Sequence, residues 1–597
     1  MHRGTSYLSI GSREERGDGD INNTTPIQNS SSSNVLNGIG CLVLASAILF
    51  LLSPAPNTHE GGAGGGLLRT VPDPSSLKQQ QAENGLNFDD PRERTRKLPV
   101  RIQGLLAQSQ LVGKQLDLVK EGKKTVEEIV HAEVIDRDGK IISDGNGNEG
   151  VGSSVHVAKG AVSRNYKSAP MTLDEITTFL YSFLKKLNSS NLKNKRATFH
   201  GIWAAYHLLV VKWLYPWDQE YLRRMPVRRT GENSIFLSVV TYRDEFCPET
   251  LKEAFDKAKD PDNLFVGLVQ QNCQEEKCRS GVLEGGKIED VGPDPDCYAE
   301  FCESPEGRVY CENGNIRLLR LKESESLGPY MARYFASKLW LGEEYYMQID
   351  SHMTFLQDWD ALSIQMLKKA PSEKPVISHY PPPHTADLVA KTKVAAPRLC
   401  GPTFATSDLE SQIIRLEGSY NYDTVKLDTP RFAPFVAAGY LVAPSTILSE
   451  VPFDPFLPYI FMGEEILLSA RLWTSGYDIF SPTHSLLGHH YVRNHQPKFW
   501  ESIHRTFTFG VHNPLQMLVL NRVKTQLDYP ESAKDMMKPK SLFTAVEQYS
   551  MGTSRSLEEY LKIVGLDMVT KEVSYTEWCE TGVPPPGFEK YANLYTT

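Results

Sequence analysis

The sequence lacks an excess of basic residues, and this absence excludes one broad class of function. Its 597 residues include 64 Lys and Arg against 73 Asp and Glu, which gives a formal net charge of −9. Proteins that bind nucleic acid need clustered Lys and Arg to neutralise phosphates, so we expect no nucleic-acid partner. Hydrophobic residues make up 40% and charged residues 23%, which is typical of a globular domain over most of the length.

Long apolar runs are also scarce. Only residues 35–52 (VLNGIGCLVLASAILFLL) approach the length that crosses a bilayer, and Pro54 and Pro56 follow them directly. We predict a disordered cytosolic tail (1–34) and a transmembrane signal anchor (35–53), which makes a single-pass type II protein of the Golgi or ER membrane with a luminal main domain. A cleaved signal peptide is the alternative.

Cysteines are few, and tight C-x-x-C pairs of them are missing. Apart from Cys41 in the apolar run there are eight: Cys247, Cys273, Cys278, Cys297, Cys302, Cys311, Cys400 and Cys579. An even number predicts disulfides in an oxidising compartment, and the wide spacings disfavour the zinc alternative. The sequon Asn188-Ser189-Ser190 predicts N-glycosylation of the luminal part.

The remainder of the chain divides by pattern. Residues 54–170 are predicted to be a linker and stem, with a stem helix at 89–124 and a Gly- and Ser-rich, loose stretch at 135–168. Residues 171–230 have helical periodicity and are predicted to pack on the main domain, which spans 231–597.

Within the main domain, short apolar runs rich in β-branched residues alternate with helical patterns. The runs are residues 234–242, 264–270, 315–321 and 344–350, with helices predicted at 248–258 and 329–341. This alternation predicts a Rossmann-like α/β fold with a doubly wound sheet. Ligands of such folds bind beyond the carboxyl ends of the strands, where Asp350 lies.

Asp350-Ser351-His352 directly follows an apolar strand. Alternate residues of a strand point to the same side, so one carboxylate and one imidazole can face a single ion. Such a donor pair suits manganese or a similar divalent metal, which neutralises a diphosphate leaving group. The alternative is an ordinary polar turn at a strand end.

Several collinear blocks carry a family resemblance. They are LSVVTYRDEFC (237–247), GPYMAR (328–333), YMQIDSHM (346–353), PFVAAGYLVAPS (434–445), the run 451–482, and GTSRSLEEY (552–560). Over about 234–565 the sequence resembles the GlcNAc-transferase family that includes hydroxyproline and polypeptide N-acetylglucosaminyltransferases. The resemblance implies a nucleotide-sugar-binding fold of the GT-A type.

The resemblance also implies the ligand set of the metal. Asp350 and His352 would bind it, together with a late histidine. The segment 481–493 offers His484, His489 and His490, of which His489 aligns best, with His490 as the alternate. The alternative is that these histidines belong to a surface strand and bind no metal.

Further residues are candidates for the donor and for catalysis. The resemblance places Glu464 or its neighbour Glu465, at the start of a helix, near the donor sugar or acceptor hydroxyl. Arg243 and Arg333 are candidates for phosphate contacts, since a guanidinium pairs well with phosphate oxygens. Thr241, Ser351 and Gly439 complete the predicted donor site, with Gly439 expected in a strand, where glycine either permits close approach to a ligand or marks a bulge.

Together these features predict a metal-dependent glycosyltransferase, and the resemblance implies that it retains configuration and forms an α-linkage. The expected cofactor is Mn²⁺, the expected donor is UDP-GlcNAc, and the expected acceptor is a Ser, Thr or hydroxyproline hydroxyl of a secretory-pathway protein or glycoprotein. Two alternatives stay open: a transferase of the same fold that uses another UDP-sugar, such as UDP-GalNAc or UDP-Gal, and an inactive sugar-binding protein on a transferase scaffold.

Overall fold

A computed structural model describes residues 169–595 with short gaps, and two short strands before them. The gaps are residues 191–197, 227–231, 284–286, 387, 389–395, 408–411, 418–427, 494–495, 508, 531–538 and 575–582. The two strands, Val134–Ile135 and Ile141–Ile142, pair antiparallel at the start of the stretch 135–168 that was predicted to be loose. The predicted tail, anchor and stem helix lie outside the described residues. No helix within the described ranges has both the length and the apolar character needed to cross a bilayer.

An eight-stranded mixed sheet and a two-stranded ribbon organise the described part of the chain. Their strands are β1 (Ile235–Tyr242), β2 (Leu264–Asn272), β3 (Ile316–Lys322), β4 (Tyr345–Asp350), β5 (Met353–Phe355), β6 (Pro375–Ser378), β7 (Arg431–Phe432), β8 (Tyr440–Pro444), β9 (Asp478–Ser481) and β10 (Leu487–His489). The spatial order of the sheet is β7-β9-β6-β8-β4-β1-β2-β3, while β5 and β10 form the ribbon. The predicted α/β class and the four predicted strands, β1 to β4, are confirmed.

The half of the sheet formed by β4, β1, β2 and β3 is entirely parallel. Strands β1, β2 and β4 are buried on both faces, which explains their nearly continuous apolar sequences, whereas the edge strand β3 exposes alternate residues. The register pairs Val240 of β1 with Asp350 of β4. The loops that follow these two strands therefore emerge side by side at the carboxyl edge of the sheet.

Helices cover the sheet and extend it. Their bounds are α1 (Leu173–Ser189), α2 (Phe199–Leu209), α3 (Tyr215–Arg223), α4 (Cys247–Asp256), α5 (Cys297–Glu303), α6 (Pro305–Glu312), α7 (Pro329–Ser337), α8 (Trp359–Lys369), α9 (Glu464–Thr474), α10 (Phe499–Thr506), α11 (Phe509–Gln526) and α12 (Leu557–Ile563). The predicted helices at 248–258 and 329–341 correspond to α4 and α7. The second ends four residues earlier than predicted, at Ser337.

The helical segment before β1 packs on the sheet domain through buried aromatic and polar contacts. Thr172 caps α1 in a capping box with Glu175, as its sequence suggests. Phe179 of α1 stacks on Trp217 of α3 with ring centroids 4.4 Å apart. In α3, the buried carboxylate of Asp218 accepts hydrogen bonds from tyrosines of the sheet domain. These contacts join α1 and α3 to each other and α3 to the sheet domain.

Three disulfides bind the long connection between β2 and β3. They are Cys247–Cys297, Cys273–Cys278 and Cys302–Cys311. Cys400 is disulfide-bonded as well. The predicted disulfides are therefore present, and these cysteines are not zinc ligands.

Candidate metal and donor site

Three side chains with metal-ligand chemistry meet where β4 ends. One ligand atom from each of Asp350, His352 and His489 lies within 4.8 Å of the others. Nε2 of His489 is 3.2 Å from Oδ2 of Asp350, whose side chain is 26% exposed. One carboxylate and two imidazoles form a donor set that suits Mn²⁺ and related ions, so the residues present fit a divalent metal. Among the described residues no second group of this kind occurs.

The ribbon carries the third member of this group to the other two. Strand β5 begins directly after His352, and its antiparallel register with β10 pairs Met353 with His489. Backbone hydrogen bonds hold His489 from the other side, because its N–H donates to Pro382 and its C=O accepts from His384. The position of this histidine is therefore set by backbone pairing.

The neighbouring histidines have other contacts. The ring of His490 stacks between His384 and Phe246, with centroids 3.5 and 4.5 Å away. Nδ1 of His484 lies 3.0 Å from the hydroxyl oxygen of Thr483. Neither ring belongs to the group around Asp350. His490 lies outside this group because consecutive residues of an extended segment point to opposite sides, and its alternate role as the third ligand stays a prediction.

A buried aspartate, not among the predicted site residues, lies behind His352. Oδ2 of Asp244 is 2.6 Å from Nδ1 of His352 and accepts a 2.7 Å hydrogen bond from the Ser351 hydroxyl. Nη1 of Arg493 lies 3.2 Å from the same oxygen. Burial raises the pKa of Asp244, but the hydrogen bond and charge of His352 and the charge of Arg493 outweigh it and leave the pKa below its ordinary value.

Two consequences follow for the predicted residues. The hydroxyl of Ser351 binds Asp244, so its predicted contact with the donor is not supported. Asp244 itself could have been noticed in the sequence, because it follows β1 just as the metal motif follows β4. The adjacent Arg243 was instead the residue predicted to contact the donor.

Arg333 joins two acidic groups of the site. Its Nη1 donates to Oε2 of Glu464 at 2.5 Å, and its Nη2 donates to Oδ1 of Asp350 at 3.0 Å. The arginine is buried, and although burial lowers its pKa, the charges of Glu464 and Asp350 raise it further, so the guanidinium remains charged. Both Nη groups face carboxylates of the chain. The geometry therefore supports a positioning function in place of the predicted phosphate contact.

Asp350 is an ionised carboxylate in this environment. Burial raises its pKa, but the hydrogen bond to His489 and the charge of Arg333 hold it well below its usual range. An ionised carboxylate with one oxygen toward Arg333 and the other toward His489 has the chemistry that a divalent cation requires.

The two glutamates at the start of α9 differ in their partners. Both oxygens of Glu465 are engaged, one by the N–H of Ala438 at 2.8 Å and the other by the hydroxyl of Tyr380 at 2.7 Å. In Glu464 only Oε2 has a partner, and its buried Oε1 has none among the described residues. Burial raises the pKa of Glu464, and burial also raises that of Glu465, to about 7. Of the two predicted catalytic residues, Glu464 retains a free acceptor atom.

Two predicted donor contacts at the end of β1 are buried. The guanidinium of Arg243 forms ion pairs with Asp294 at 2.8 Å and Glu323 at 2.9 Å, and its predicted phosphate contact stays a prediction. Thr241 is 1% exposed, and its hydroxyl has no hydrogen-bond partner within the described ranges. Its predicted donor contact stays a prediction.

Gly439 lies in a turn before β8, and not in a strand as predicted. Its carbonyl accepts the N–H of Asp350 at 3.2 Å. A Cβ atom at this position would be 2.8 Å from Oδ2 of Asp350, closer than a real contact allows. The absence of a side chain therefore leaves space for the carboxylate, which is a different reason for glycine than the predicted approach to a ligand.

Two cavities lie away from these residues. One of about 270 Å³ is lined by Trp340, Tyr345 and Pro444, and one of about 560 Å³ by Lys374, Asp478 and Arg555. The first adjoins the start of β4 and the second the starts of β6 and β9, so both lie at the amino edge of the sheet. The site at the carboxyl edge is therefore a separate, partly exposed group of residues.

The eight-stranded sheet and the site both lie within a segment that matches a known protein family. Residues 234–570, more than half of the chain, match a family model of glycosyltransferases. The family is described as Glycosyltransferase (GlcNAc), and the chain belongs to it. No curated protein gives a significant sequence match.

Several solved structures are similar at low identity. GalNAc-T7 with UDP, GalNAc and Mn²⁺ is 15% identical, with a TM-score of 0.35 over 56% of this chain and 57% of that one. TarS of S. aureus, residues 1–349, is 12% identical, with a TM-score of 0.27 over 53% and 83% of the two chains. This chain thus spans little more than half the length of the GalNAc-T7 structure. Likenesses at such TM-scores support no conclusion about chemistry.

Proposed function

We propose that the protein transfers GlcNAc from UDP-GlcNAc to a Ser, Thr or hydroxyproline hydroxyl of a secretory-pathway protein, with a divalent metal and with retention of configuration, on a fold of the GT-A type. The observation that carries the proposal is the convergence of Asp350, His352 and His489 at the carboxyl edge of the sheet, inside the family segment. Ligands of open α/β sheets bind at this edge.

The proposed metal ligands are Asp350, His352 and His489, and the proposed ion is Mn²⁺. When bound there, such an ion neutralises negative charge on the diphosphate as UDP departs. Arg333 supports this arrangement, because its guanidinium holds one oxygen of Asp350 and leaves the other toward His489. The chain therefore presents its carboxylate in one fixed orientation.

Glu464 is the proposed contact to the reacting sugar or acceptor. Its Oε2 is held by Arg333, and its partnerless Oε1 can accept a hydrogen bond from a sugar or acceptor hydroxyl. Glu465 fixes the turn at Ala438 instead, since both of its oxygens are occupied. This assignment separates two adjacent acids that the sequence left equivalent.

The proposed reaction needs no nucleophile from the chain. The bond between the anomeric carbon and the UDP oxygen breaks, and the acceptor hydroxyl oxygen forms a new bond to that carbon on the same face. The hydroxyl proton passes to the departing phosphate oxygen. The product is an α-linked sugar together with UDP.

The proposed location is the lumen of the Golgi or ER, with the chain anchored through residues 35–53. The disulfides of the β2–β3 connection support an oxidising compartment. The acceptors available there are secreted and cell-surface proteins. Retention of the tagged chain in the membrane fraction after alkaline carbonate extraction, with protease protection of the domain, is the expected result.

UDP release from a panel of UDP-sugars, with Mn²⁺ or with EDTA, tests the proposal. We expect release from UDP-GlcNAc with Mn²⁺ only, and loss of about 100-fold or more in Asp350→Asn. Asp478→Asn is a matched control, because that aspartate also pairs with an arginine, Arg555, at 2.7 Å but lies at the amino edge. If the protein prefers another UDP-sugar, then that sugar is the donor. If it binds UDP-sugars without releasing UDP, then it is a sugar-binding protein.

A further inference from the structure

Asp244 reaches the metal-type group from the neighbouring strand. It follows β1, which pairs in parallel with β4 so that Val240 is level with Asp350. Arg243, the residue between the end of β1 and Asp244, adopts a φ of 50°, a conformation that is rare for residues other than glycine. Its ion pairs with Asp294 and Glu323 hold this bend. The bend directs the chain so that the next carboxylate lies behind His352.

Asp244 is completely buried and only accepts hydrogen bonds. The side chain is 0% exposed. Its Oδ2 faces Nδ1 of His352 at 2.6 Å, the Ser351 hydroxyl at 2.7 Å and the Arg493 guanidinium at 3.2 Å. Its Oδ1 accepts the N–H of Phe246 at 3.1 Å.

This set of contacts determines which nitrogen of His352 carries a proton. A carboxylate surrounded by donors is an acceptor, so Nδ1 of His352 is the donor of the 2.6 Å contact. In the neutral imidazole Nε2 then holds the free lone pair. His489 has no comparable partner, because its Nδ1 is without one among the described residues.

We propose that Asp244 is the positioning residue of His352, and that it fixes the ring orientation and the tautomer in which Nε2 is available to a divalent metal. This inference rests on the metal site of the proposed function. Carboxylates that hold metal-binding histidines in this way typically contribute 10- to 100-fold in metal affinity, about the effect expected here.

The test measures Mn²⁺ binding to the full chain in the presence of UDP, by electron paramagnetic resonance of the free ion. Asp244→Asn should weaken Mn²⁺ binding about 10- to 100-fold. Asp360→Asn is the matched control, since Asp360 is also a buried carboxylate and accepts the N–H groups of Lys259 and Asp260 far from the site. Its Mn²⁺ affinity should equal that of the wild type.

A double-mutant cycle with His352→Asn separates positioning from general structural damage. If Asp244 acts through His352, then Asp244→Asn has little further effect on Mn²⁺ binding once His352 is replaced. An undiminished effect in that background would overturn the inference. Equal Mn²⁺ affinity of wild type and Asp244→Asn would overturn it as well.

Two further results keep the outcome unambiguous. Asp244→Glu keeps the charge but displaces the oxygens by one methylene group, and it replaces Asp244→Asn if that variant does not fold. Unchanged Mn²⁺ binding in folded Asp244→Glu counts against the proposal. A wild-type chain that binds no Mn²⁺ would refute the metal site itself, which is distinguishable because the failure then appears without any mutation.

Discussion

At the residue scale, the carboxylate of Asp350 is positioned by what surrounds it on three sides. Arg333 donates to one oxygen, His489 faces the other, and Gly439 leaves the space that the second oxygen occupies. Each neighbour comes from a different part of the sequence. The chemistry of the motif is therefore local, but its geometry is not.

Gly439→Ala tests the steric part of this arrangement. The new methyl group would lie 2.8 Å from Oδ2 of Asp350, so either the carboxylate or the turn must move. Because displacements near 1 Å can reduce turnover about 100-fold, we expect UDP release to fall by about tenfold or more. Gly292→Ala is the control, since a Cβ there meets nothing within 4 Å. Equal activity of the two variants would contradict the explanation.

The raised pKa of Glu465 should make the stability of the protein depend on pH. Burial raises its pKa from the ordinary 4.5 to about 7, so the folded state binds a proton that the unfolded state has lost between these values. Its favourable contribution is complete below pH 4.5 and is lost as the pH rises through about 7. Urea unfolding at pH 5 to 8 should show the wild type losing up to about 3 kcal/mol relative to Glu465→Gln. A constant difference between them across this range would refute the assignment.

At the element scale, the ribbon and the disulfides each fix a connection that strand pairing alone leaves open. The β5–β10 register sets the position of His489. The Cys247–Cys297 disulfide joins the first residues of α4 and α5, and thus ties the helix after β1 to the long connection between β2 and β3. The ribbon and the disulfide therefore both fix loops around the site.

Removing the Cys247–Cys297 disulfide should destabilise the fold more than removing Cys302–Cys311. The first closes a separation of 50 residues and the second one of 9, so the first restricts the unfolded chain more. We expect the Cys247→Ser/Cys297→Ser variant to lose about 2–5 kcal/mol of unfolding free energy, roughly 1–2 kcal/mol more than the matched Cys302→Ser/Cys311→Ser variant. Chemical denaturation of the two variants measures the difference, and the reverse order would contradict this account.

At the scale of the whole described chain, the helical segment and the sheet domain share one core. Asp218 of α3 accepts hydrogen bonds from Tyr334 and Tyr549 and pairs with the ammonium of Lys338 at 2.6 Å. Burial lowers the pKa of Lys338, while the charge of Asp218 opposes that effect. The segment 171–230 is therefore joined to the sheet domain by a buried ion pair as well as by apolar packing.

Asp218→Asn should destabilise the protein strongly. It leaves the buried ammonium of Lys338 without its counter-charge, and breaking one side of a buried ion pair costs about 3–5 kcal/mol. The double variant Asp218→Asn/Lys338→Met removes both charges and should recover part of that loss. Thermal and urea unfolding of the two variants provide the comparison. A double variant less stable than the single one would show that the ion pair is not the cause.

Much of the fold and part of the site follow from the sequence alone. The apolar runs identified β1, β2 and β4, because a strand buried on both faces needs continuous apolar residues, and the shorter apolar run of β3 fits an edge strand with one exposed face. The even cysteine count predicted disulfides, and Asp350 and His352 were recognised because two residues separated by one share a side of the chain. The strands and the Asp350–His352 pair depend on neighbours only a few residues away, and the cysteine count depends on composition alone.

Only the tertiary structure decided the remaining assignments, because they depend on residues that are distant in sequence. Asp350 and His489 are 139 residues apart, Asp244 and His352 are 108 apart, and Asp244 and Arg493 are 249 apart. No local pattern specifies such pairs, so the meeting of His489 with Asp350, the ion pairs of Arg243 and Arg333, and the unpartnered oxygen of Glu464 required the folded chain. The sequence by itself determined which chemical groups are present, and the packing of the sheet, ribbon and helices determined which of them meet.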